Sequence, residues 1–136
     1  MAEKSFKLDI VTPRKMVFSG DVVSFSAPGV MGGFEVLANH APLLAEVGVG
    51  EVRYSEASGN EVRLATGGGF VDVRDNHVVM LAESAEPLAD IDIARAESAR
   101  DRARQRLTQK ITESEQAEAR SALNRALNRI RIASKK

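Results

Sequence analysis

Arginine side chains recur in the last third of the chain at spacings that could build an anion-binding site. Asp92, Arg95 and Arg102 are separated by three and seven residues, and Arg125 and Arg129 by four. On a helix, the members of each group lie along one face. If a turn brings the two faces together, four guanidinium groups converge, and their forked donors match phosphate oxygens in pairs.

The same spacings also fit a solvated helix surface that binds nothing. In that alternative Asp92 pairs with Arg95, and the other arginine side chains extend over neighbouring alanines toward water. Spacing alone favours this alternative, so an anion site needs support from elsewhere in the sequence.

The elements that must position these arginines are two helices. Residues 88–136 contain no glycine, proline or aromatic residue and are rich in helix-forming types. We expect Asp90 to cap the first helix, with Asp92 in its first turn. The segment from Thr112 to Glu115 matches a capping box and predicts the start of a second helix. Alanine-rich stripes on both segments predict a close antiparallel pair of helices of about 20 residues each.

Residues 1–87 instead alternate apolar and polar side chains over short segments, as in Phe6, Leu8 and Ile10, which is typical of β-strands. Turns are predicted at residues 19–21, 58–60 and 75–76, and short strands at this spacing indicate an antiparallel sandwich or barrel. The expected fold is therefore an all-β sandwich or barrel, residues 1–87, followed by an α-helical hairpin of two antiparallel helices, residues 88–136.

The net charge of zero hides an uneven distribution. Residues 1–87 hold 12 acidic and 7 basic side chains, whereas residues 88–136 hold 7 acidic and 12 basic ones. A basic segment attached to an acidic body favours contact with an anion. The chain has no cysteine, which fits a reducing compartment, and it has neither a signal-like start nor an apolar run that could cross a membrane. We therefore expect a cytoplasmic protein.

Other residues that could do chemistry lack the necessary partners. His40 is one of only two histidines, so we expect it to pack or to cap a loop instead of binding a metal. The glycine run 67–69 is not followed by the lysine of a phosphate-binding loop, which favours a bulge or a close backbone approach. Ser24 and Ser26 have no base at a recognisable spacing. We therefore predict a non-catalytic protein without a metal site.

Three segments resemble the epsilon subunit of bacterial F-type ATP synthases. They are the sequences NHAPLL at 39–44, GGFVDV at 68–73 with its continuation through Asn76 to Glu83, and IDIARA at 91–96. Taken in this order and at these separations, the resemblance covers essentially the whole chain.

The resemblance implies a non-catalytic rotor subunit with a β-sandwich and a helical hairpin. The sandwich would hold the gamma subunit of the central stalk and rest on the ring of c subunits. The hairpin would be able to extend into the catalytic alpha/beta head and inhibit hydrolysis. Such a subunit couples proton-driven rotation to ATP synthesis, at the cytoplasmic face of the bacterial inner membrane and attached only through the complex.

Some members of this family bind ATP as a regulatory ligand in the folded hairpin, and none requires a cofactor. In this scheme acids hold the adenosine end and arginines hold the phosphates. The positions that match the family's ATP ligands are Glu86, Ile91, Asp92, Arg95, Ala96, Arg102, Arg125 and Arg129. We expect Arg95→Ala to weaken ATP binding and to favour the extended hairpin.

The resemblance also implies a subunit interface that includes Met31, Phe34 and His40. The family often has Gly-Glu-x-Gly before the histidine, whereas residues 32–35 here are Gly-Gly-Phe-Glu. Polar contacts made by relatives therefore do not transfer directly to this loop.

Two other classes of function compete with the rotor subunit. One is a nucleic-acid-binding adaptor that uses the arginine-rich helices, although these contain no aromatic residue for base stacking and interleave seven acids with twelve bases. The other is a stand-alone ATP-sensing domain, which co-purification with a gamma-like coiled coil would exclude.

Overall fold

The computed structural model describes residues 4–134, which form two compact units that divide between Pro87 and Leu88. The strands are β1 (Phe6–Val11), β2 (Met16–Ala27), β3 (Phe34–Val36), β4 (Leu43–Val47), β5 (Gly50–Glu56), β6 (Glu61–Thr66), β7 (Gly69–Arg74), β8 (His77–Ala82) and β9 (Ala85–Pro87). A 3₁₀ turn (Leu88–Asp90) and two helices, α1 (Ile93–Leu107) and α2 (Glu113–Ala133), follow.

The first unit is a β-sandwich, as predicted. Its strands are hydrogen-bonded in the order β4-β7-β8-β1-β2-β5-β6-β9, with β3 paired to β2. Among the strand pairs within residues 4–134, only β1 and β8 run parallel. Side chains from both ends of this order share one core, including Val71 and Met80 from one end and Val52 and Leu64 from the other. The strands therefore form two layers that face each other across this core.

Strand β2 belongs to both layers. Its first half pairs with β1, its second half pairs with β3 and β5, and the register with β5 shifts between Val22 and Ser24. The predicted turn at residues 19–21 is therefore wrong, because Gly20 lies within the strand, opposite Leu8. The ladder with β1 overrides the local turn preference of the Ser-Gly-Asp sequence.

The other two predicted turns are confirmed. Asp75 and Asn76 join β7 to β8 with φ angles of 52° and 58°, the left-handed conformation of a two-residue hairpin turn. Gly59, with φ of 97°, lies in the turn between β5 and β6. Both turns carry residue types that tolerate positive φ, which is why the sequence predicts them.

The glycine run 67–69 makes the close backbone approach that the sequence predicts. A Cβ on Gly68 would lie 2.9 Å from the carbonyl oxygen of Val47, and one on Gly69 would overlap the carbonyl oxygen of Leu81. The φ angles of 107° and 152° also disfavour any residue with a side chain. Glycine is therefore required where β7 enters between β4 and β8.

The second unit is a helical hairpin, as predicted, but its first helix starts differently. Asp92, not Asp90, is the N-cap of α1, since residues 88–90 form a separate 3₁₀ turn. Helix α1 has 15 residues and α2 has 21, so the first is shorter than predicted. The capping box at Thr112 is confirmed: the Thr112 hydroxyl accepts the Glu115 N–H at 3.1 Å, and the Thr112 N–H donates to the Glu115 carboxylate at 3.4 Å.

Small buried side chains form the contact between α1 and α2. Ala96 and Ala103 on α1, like Ala119 and Ala126 on α2, are at most 4% exposed and are seven residues apart. Side chains at this spacing form one stripe on a helix. Because the side chain of alanine ends at Cβ, the two helix axes can approach closely along these stripes.

Candidate functional site

The candidate site begins with Asp92, whose carboxylate has a fixed position at the start of α1. Its Oδ1 accepts the backbone N–H of Arg95 at 3.1 Å, and its carbonyl oxygen accepts the N–H of Ala96 at 3.0 Å. The capping bond uses one carboxylate oxygen, and the other remains available to a ligand donor.

One flank of α1 carries a row of arginines beside the buried stripe. At about 100° per residue, Arg95, Arg102 and Arg106 lie within roughly 40° of one another around the helix. Arg95 and Arg102 are exposed, so their guanidinium groups are accessible to solvent. The prediction that Arg95 and Arg102 share one face is confirmed by the extent of α1.

A matching flank of α2 carries acids near its start and arginines near its end. Glu115, Glu118, Ala122, Arg125 and Arg129 follow one another at intervals of three and four residues and lie along one flank. Arg125 and Arg129 are half-buried. Their position on one face of the second helix is as predicted.

An ion pair fixes the alignment of the two flanks. Arg106 of α1 donates to the Glu115 carboxylate of α2 at 3.5 Å, so both flanks lie on the same side of the hairpin. The Thr112 hydroxyl also donates to Glu115, and this bond is the main cause that lowers the pKa of that carboxyl below its usual value. Arg106 and Glu115 therefore provide a reference point at the closed end of the hairpin.

Counting from this pair shows which residues face each other across the hairpin. The two helices are antiparallel, and each rises about 1.5 Å per residue. A residue that precedes Arg106 by some number of positions therefore lies level with the residue that follows Glu115 by the same number. Asp92 and Arg129 are each fourteen residues from the pair and lie level. Arg95 and Arg125 are eleven and ten residues away, so they lie level to within about 2 Å.

Small side chains separate these residues from the closed end. Ala99 and Ala122 are each seven residues from the Arg106–Glu115 pair, so they too lie level on the same side of the hairpin. Both are half-buried, and neither projects beyond Cβ. Only alanine side chains therefore line this level of the flank, which we call the notch, with Arg95 and Arg125 toward the open end of the hairpin and Arg102 toward its closed end.

The arginines around this notch have no ion-pair partner among the described residues. Within residues 4–134, the side chains of Arg95, Arg102 and Arg125 form no ion pair. Like charges held together without a counterion repel one another, and an anion would relieve that repulsion. Among the described residues, Asp92 accepts the backbone N–H of Arg95 and forms no ion pair with its guanidinium, so this part of the solvated-surface alternative is wrong. Arg102 is exposed, which agrees with the other part of that alternative, a side chain that extends toward water.

The remaining predicted ATP ligands occupy different surroundings. Ile91 and Ala96 are 7% and 4% exposed, so their side chains serve packing, and their backbone groups are what a ligand could use. Glu86 lies in β9 of the first unit, opposite Ala65 of β6. Ala65 is outside the sandwich core cluster, and paired residues point to the same side, so Glu86 lies on the outer face of its layer.

The predicted interface residues lie in the β2–β3 loop (Met31), at the start of β3 (Phe34) and in the β3–β4 loop (His40). Met31 is 97% exposed, and its neighbour Val30 is 53% exposed. Phe34 packs partly against the sandwich core, while His40 Nδ1 lies 2.6 Å from the carbonyl oxygen of Ala41. His40 thus caps a loop, as predicted, and Met31 offers the largest free apolar surface of the three.

A second apolar surface escapes the sequence reasoning. Phe70 of β7 and Leu81 of β8 are cross-strand partners that are 53% and 58% exposed, and Leu44 of β4 is 74% exposed. A cavity of about 350 Å³ lies beside this pair, lined mainly by apolar atoms of residues at the end of β1, in β7 and β8, and at Glu83. Phe70 and Leu81 face each other across the β7–β8 hairpin, but only the pairing of β7 with the more distant β4 brings Leu44 to the same sheet face.

Two polar clusters also escape the sequence reasoning. Asn128 of α2 is only 6% exposed and accepts a hydrogen bond from Arg131 at 2.8 Å. In the first unit, the Asp9 carboxylate accepts the Ser19 hydroxyl at 2.6 Å and lies 2.8 Å from His77 Nε2. The serine bond is the main cause that lowers the pKa of Asp9. Because the serine donates to the carboxylate and not to the histidine, the histidine does not activate it as a base would.

Metal and membrane sites are the last structural question. In the part of the chain that the structure describes, no group of three or more histidine, aspartate or glutamate side chains could hold a metal ion. Likewise, no helix within residues 4–134 has the length and apolarity to span a bilayer.

Comparisons with known proteins agree with the arrangement of the two units. Residues 5–88 match the model of the ATP synthase delta/epsilon chain β-sandwich domain, and residues 89–134 match that of the delta/epsilon chain long α-helix domain. The chain belongs to the ATP synthase delta/epsilon chain family. The resemblance seen in the sequence is therefore confirmed.

Relatives of the family are similar over most of this chain. The ATP synthase epsilon chain of Salinibacter ruber is 48% identical over 95% of this chain and 92% of its own length. That of Pelotomaculum thermopropionicum is 47% identical over 76% of each chain. That of Syntrophomonas wolfei is 41% identical over 76% of this chain and 75% of its own. These bacterial ATP synthase epsilon chains are thus similar in sequence to most of this chain.

Solved structures show the same fold at lower sequence identity. A chain in the Euglena gracilis mitochondrial ATP synthase, OSCP/F1/c-ring, superimposes with a TM-score of 0.80 at 21% identity and covers 97% of this chain and 82% of that one. A chain in the central stalk/c-ring of the Tetrahymena thermophila mitochondrial enzyme gives a TM-score of 0.65 at 14% identity, covering 98% and 99%. These likenesses establish the fold.

Proposed function

We propose that the chain is a non-catalytic rotor subunit of a bacterial ATP synthase and that its helical hairpin binds ATP as a regulatory ligand. The observation that carries the ATP site is the notch at Ala99 and Ala122, bordered by Arg95, Arg102 and Arg125, whose guanidiniums form no ion pair among the described residues. A triphosphate supplies the missing negative charge and has oxygens that match guanidinium donors in pairs.

The acidic residues distinguish the adenosine end of this site from its phosphate end. The free oxygen of Asp92, at the open end of the hairpin, is a hydrogen-bond acceptor for the ribose or the adenine amino group. Glu86 belongs to the first unit, and its place among the ATP ligands rests on the family resemblance alone. Carboxylates that accept from an adenine amino group disfavour guanine, which presents a carbonyl oxygen at the same position.

A calorimetric titration of ATP into the purified full-length chain tests the site. We expect saturable binding that Arg125→Ala weakens by tenfold or more, since a charge-assisted hydrogen bond contributes about 1.5–3 kcal/mol. Arg104→Ala is the matched control, because Arg104 is an exposed arginine of α1 that lies on the opposite flank of the hairpin. GTP should bind more weakly than ATP. Absence of saturable binding at millimolar ATP would contradict the ATP site. It would not affect the assignment as a rotor subunit, which does not depend on ATP binding.

The proposed regulation follows from differential binding. ATP stabilises the folded hairpin only to the extent that it binds that state more tightly than the extended one. The notch exists only while α1 and α2 lie side by side, so extension of the hairpin into the alpha/beta head would disperse its arginines. A tenfold preference of ATP for the folded hairpin corresponds to about 1.4 kcal/mol. The loss of one arginine contact on extension is enough to supply this difference.

Hydrolysis assays test this regulation in the assembled enzyme. We expect an ATP synthase that carries Arg125→Ala to need more ATP before inhibition of hydrolysis is relieved, compared with the same complex that carries Arg104→Ala. Equal ATP dependence in the two complexes would contradict regulation through this site.

The two apolar surfaces of the sandwich support the proposed partners. We assign the exposed residues Val30 and Met31 to the contact with the c-ring, and the exposed surface formed by Leu44, Phe70 and Leu81 to the contact with the gamma subunit. Exposed apolar area of this kind, next to polar residues, is typical of protein interfaces. Through these contacts the subunit would lie at the cytoplasmic face of the bacterial inner membrane.

A further inference from the structure

We infer that Glu118 is a specificity-determining residue of the proposed nucleotide site, where it limits how strongly the arginines attract phosphate. The inference rests on the proposed ATP site and concerns a side chain that is not among its predicted ligands. Glu118 follows Glu115 by three residues on the flank of α2 that faces the notch.

The Arg106–Glu115 ion pair at the closed end of the hairpin shows that Glu118 lies level with Arg102. Arg102 is four residues back from Arg106, and Glu118 is three residues on from Glu115. The two side chains are therefore level to within about 2 Å on the same side of the hairpin. Both are exposed, and within residues 4–134 neither forms an ion pair, so the carboxylate acts on Arg102 through its field and not through a fixed bond.

The position of Glu118 makes its effect depend on the charge of the ligand. Phosphates held by Arg102 would lie within several ångströms of the carboxylate, and each negative charge on them would be repelled. The field of Glu118 also offsets the attraction of Arg102 for those phosphates. A ligand with more phosphates loses more affinity, so Glu118 reduces the preference of the site for ATP over ADP and AMP.

The expected consequence of removing the charge is a gain in affinity that grows with the number of phosphates. At separations of about 6–8 Å near a protein surface, and after screening by salt at about 0.15 M, one unit charge changes binding by roughly three- to tenfold. We expect Glu118→Gln to strengthen ATP binding by this factor, ADP binding by less and AMP binding little. Glu118→Lys should strengthen ATP binding further.

Glu97→Gln is the matched control. Glu97 is also an exposed glutamate of the hairpin, and its replacement changes the net charge equally, but it follows Ala96 by one residue and lies on the opposite flank. A gain seen with Glu118→Gln and not with Glu97→Gln therefore reports on the notch and not on overall charge.

The experiment is calorimetric titration of AMP, ADP and ATP into the full-length wild type, Glu118→Gln, Glu118→Lys and Glu97→Gln. Magnesium-free buffer keeps the ligand charge equal to that of its phosphates, and far-ultraviolet circular dichroism verifies equal helix content. A gain graded from AMP to ATP in the two Glu118 variants alone supports the inference. If the wild type binds ATP and Glu118→Gln binds it with the same affinity, the inference is wrong and the ATP site is retained. Absence of ATP binding by every protein overturns the site and the inference together.

Discussion

Oε1 of Glu51 on β5 accepts a hydrogen bond at 2.7 Å from Nε of Arg63 on the neighbouring strand β6. The same oxygen accepts from Nε of Arg53, two residues on in β5, also at 2.7 Å. The Glu51 side chain is 13% exposed and that of Arg63 is 20% exposed. The hydrogen bond from Arg63 is the main cause that lowers the pKa of Glu51 from 4.5 to about 2. This carboxylate therefore links one sandwich strand to its neighbour only while it is ionised.

The lowered pKa predicts that the sandwich loses stability in acid. Because the folded-state pKa of Glu51 lies below the unfolded value, its contribution is complete above pH 4.5 and is lost as pH falls toward 2. Glu51→Gln should lower the free energy of unfolding at pH 7 by about 1–2 kcal/mol. Urea denaturation at pH 7 and pH 3 measures both effects, with Glu46→Gln, an exposed glutamate of β4, as the control. A Glu51→Gln variant as acid-sensitive as the wild type would contradict the assignment.

Alanine at position 69 should destabilise the sandwich strongly. Its Cβ would overlap the carbonyl oxygen of Leu81, and φ of 152° is unfavourable for any side chain. We expect Gly69→Ala to cost about 2 kcal/mol or more in urea denaturation. Gly33→Ala is the control, since its Cβ would meet nothing closer than 3.8 Å. Equal stability of the two variants would refute the close approach.

Loss of the capping box should loosen the start of α2. Thr112→Ala removes the hydroxyl that accepts the Glu115 N–H, a change that costs about 1 kcal/mol. Hydrogen exchange at the Glu115 amide should accelerate by roughly fivefold. Ser114→Ala, in the same helical turn, should leave exchange at this amide nearly unchanged. Similar rates in the two variants would mean that the cap does not hold the helix start.

A charge placed on the apolar face of the sandwich should weaken binding to the gamma subunit. Phe70 is 53% exposed and pairs with exposed Leu81, so Phe70→Glu changes the surface with little effect on the core. Burial of a carboxylate without a partner should reduce affinity by tenfold or more. Leu37→Glu, at a residue 54% exposed, is the control. Calorimetry with purified gamma subunit measures the affinity of each variant. Equal affinities would contradict an interface at this apolar face.

Local patterns in the sequence predict the features whose causes are local. Thr112 and Glu115 are three residues apart and form their capping box without help from the rest of the chain, and Asp75 with Asn76 forms a turn through its own backbone preference. Asp90 and Asp92 are equally good caps by residue type, and only the 3₁₀ turn before α1 decides between them.

Features that depend on distant partners escape the same reasoning. Gly20 continues a strand because β1 pairs with it, which a local turn preference cannot anticipate. Spacing and resemblance predict the arginines of the notch, but which of them lie level across the hairpin is shown by the contact between Arg106 and Glu115. The same contact sets Glu118 level with Arg102, a relationship that no local sequence pattern indicates.

The parallel pairing of β1 with β8 also has a consequence for how the chain folds. Lys7 lies opposite His77, so the first strand remains open along one side until nearly eighty residues have been synthesised. Closing so long a loop is slow and leaves an edge strand exposed to other chains. The contacts between α1 and α2 are by contrast short in sequence, so the hairpin should form much faster than the sandwich. We expect the rate of folding to be set by the arrival of β8 beside β1.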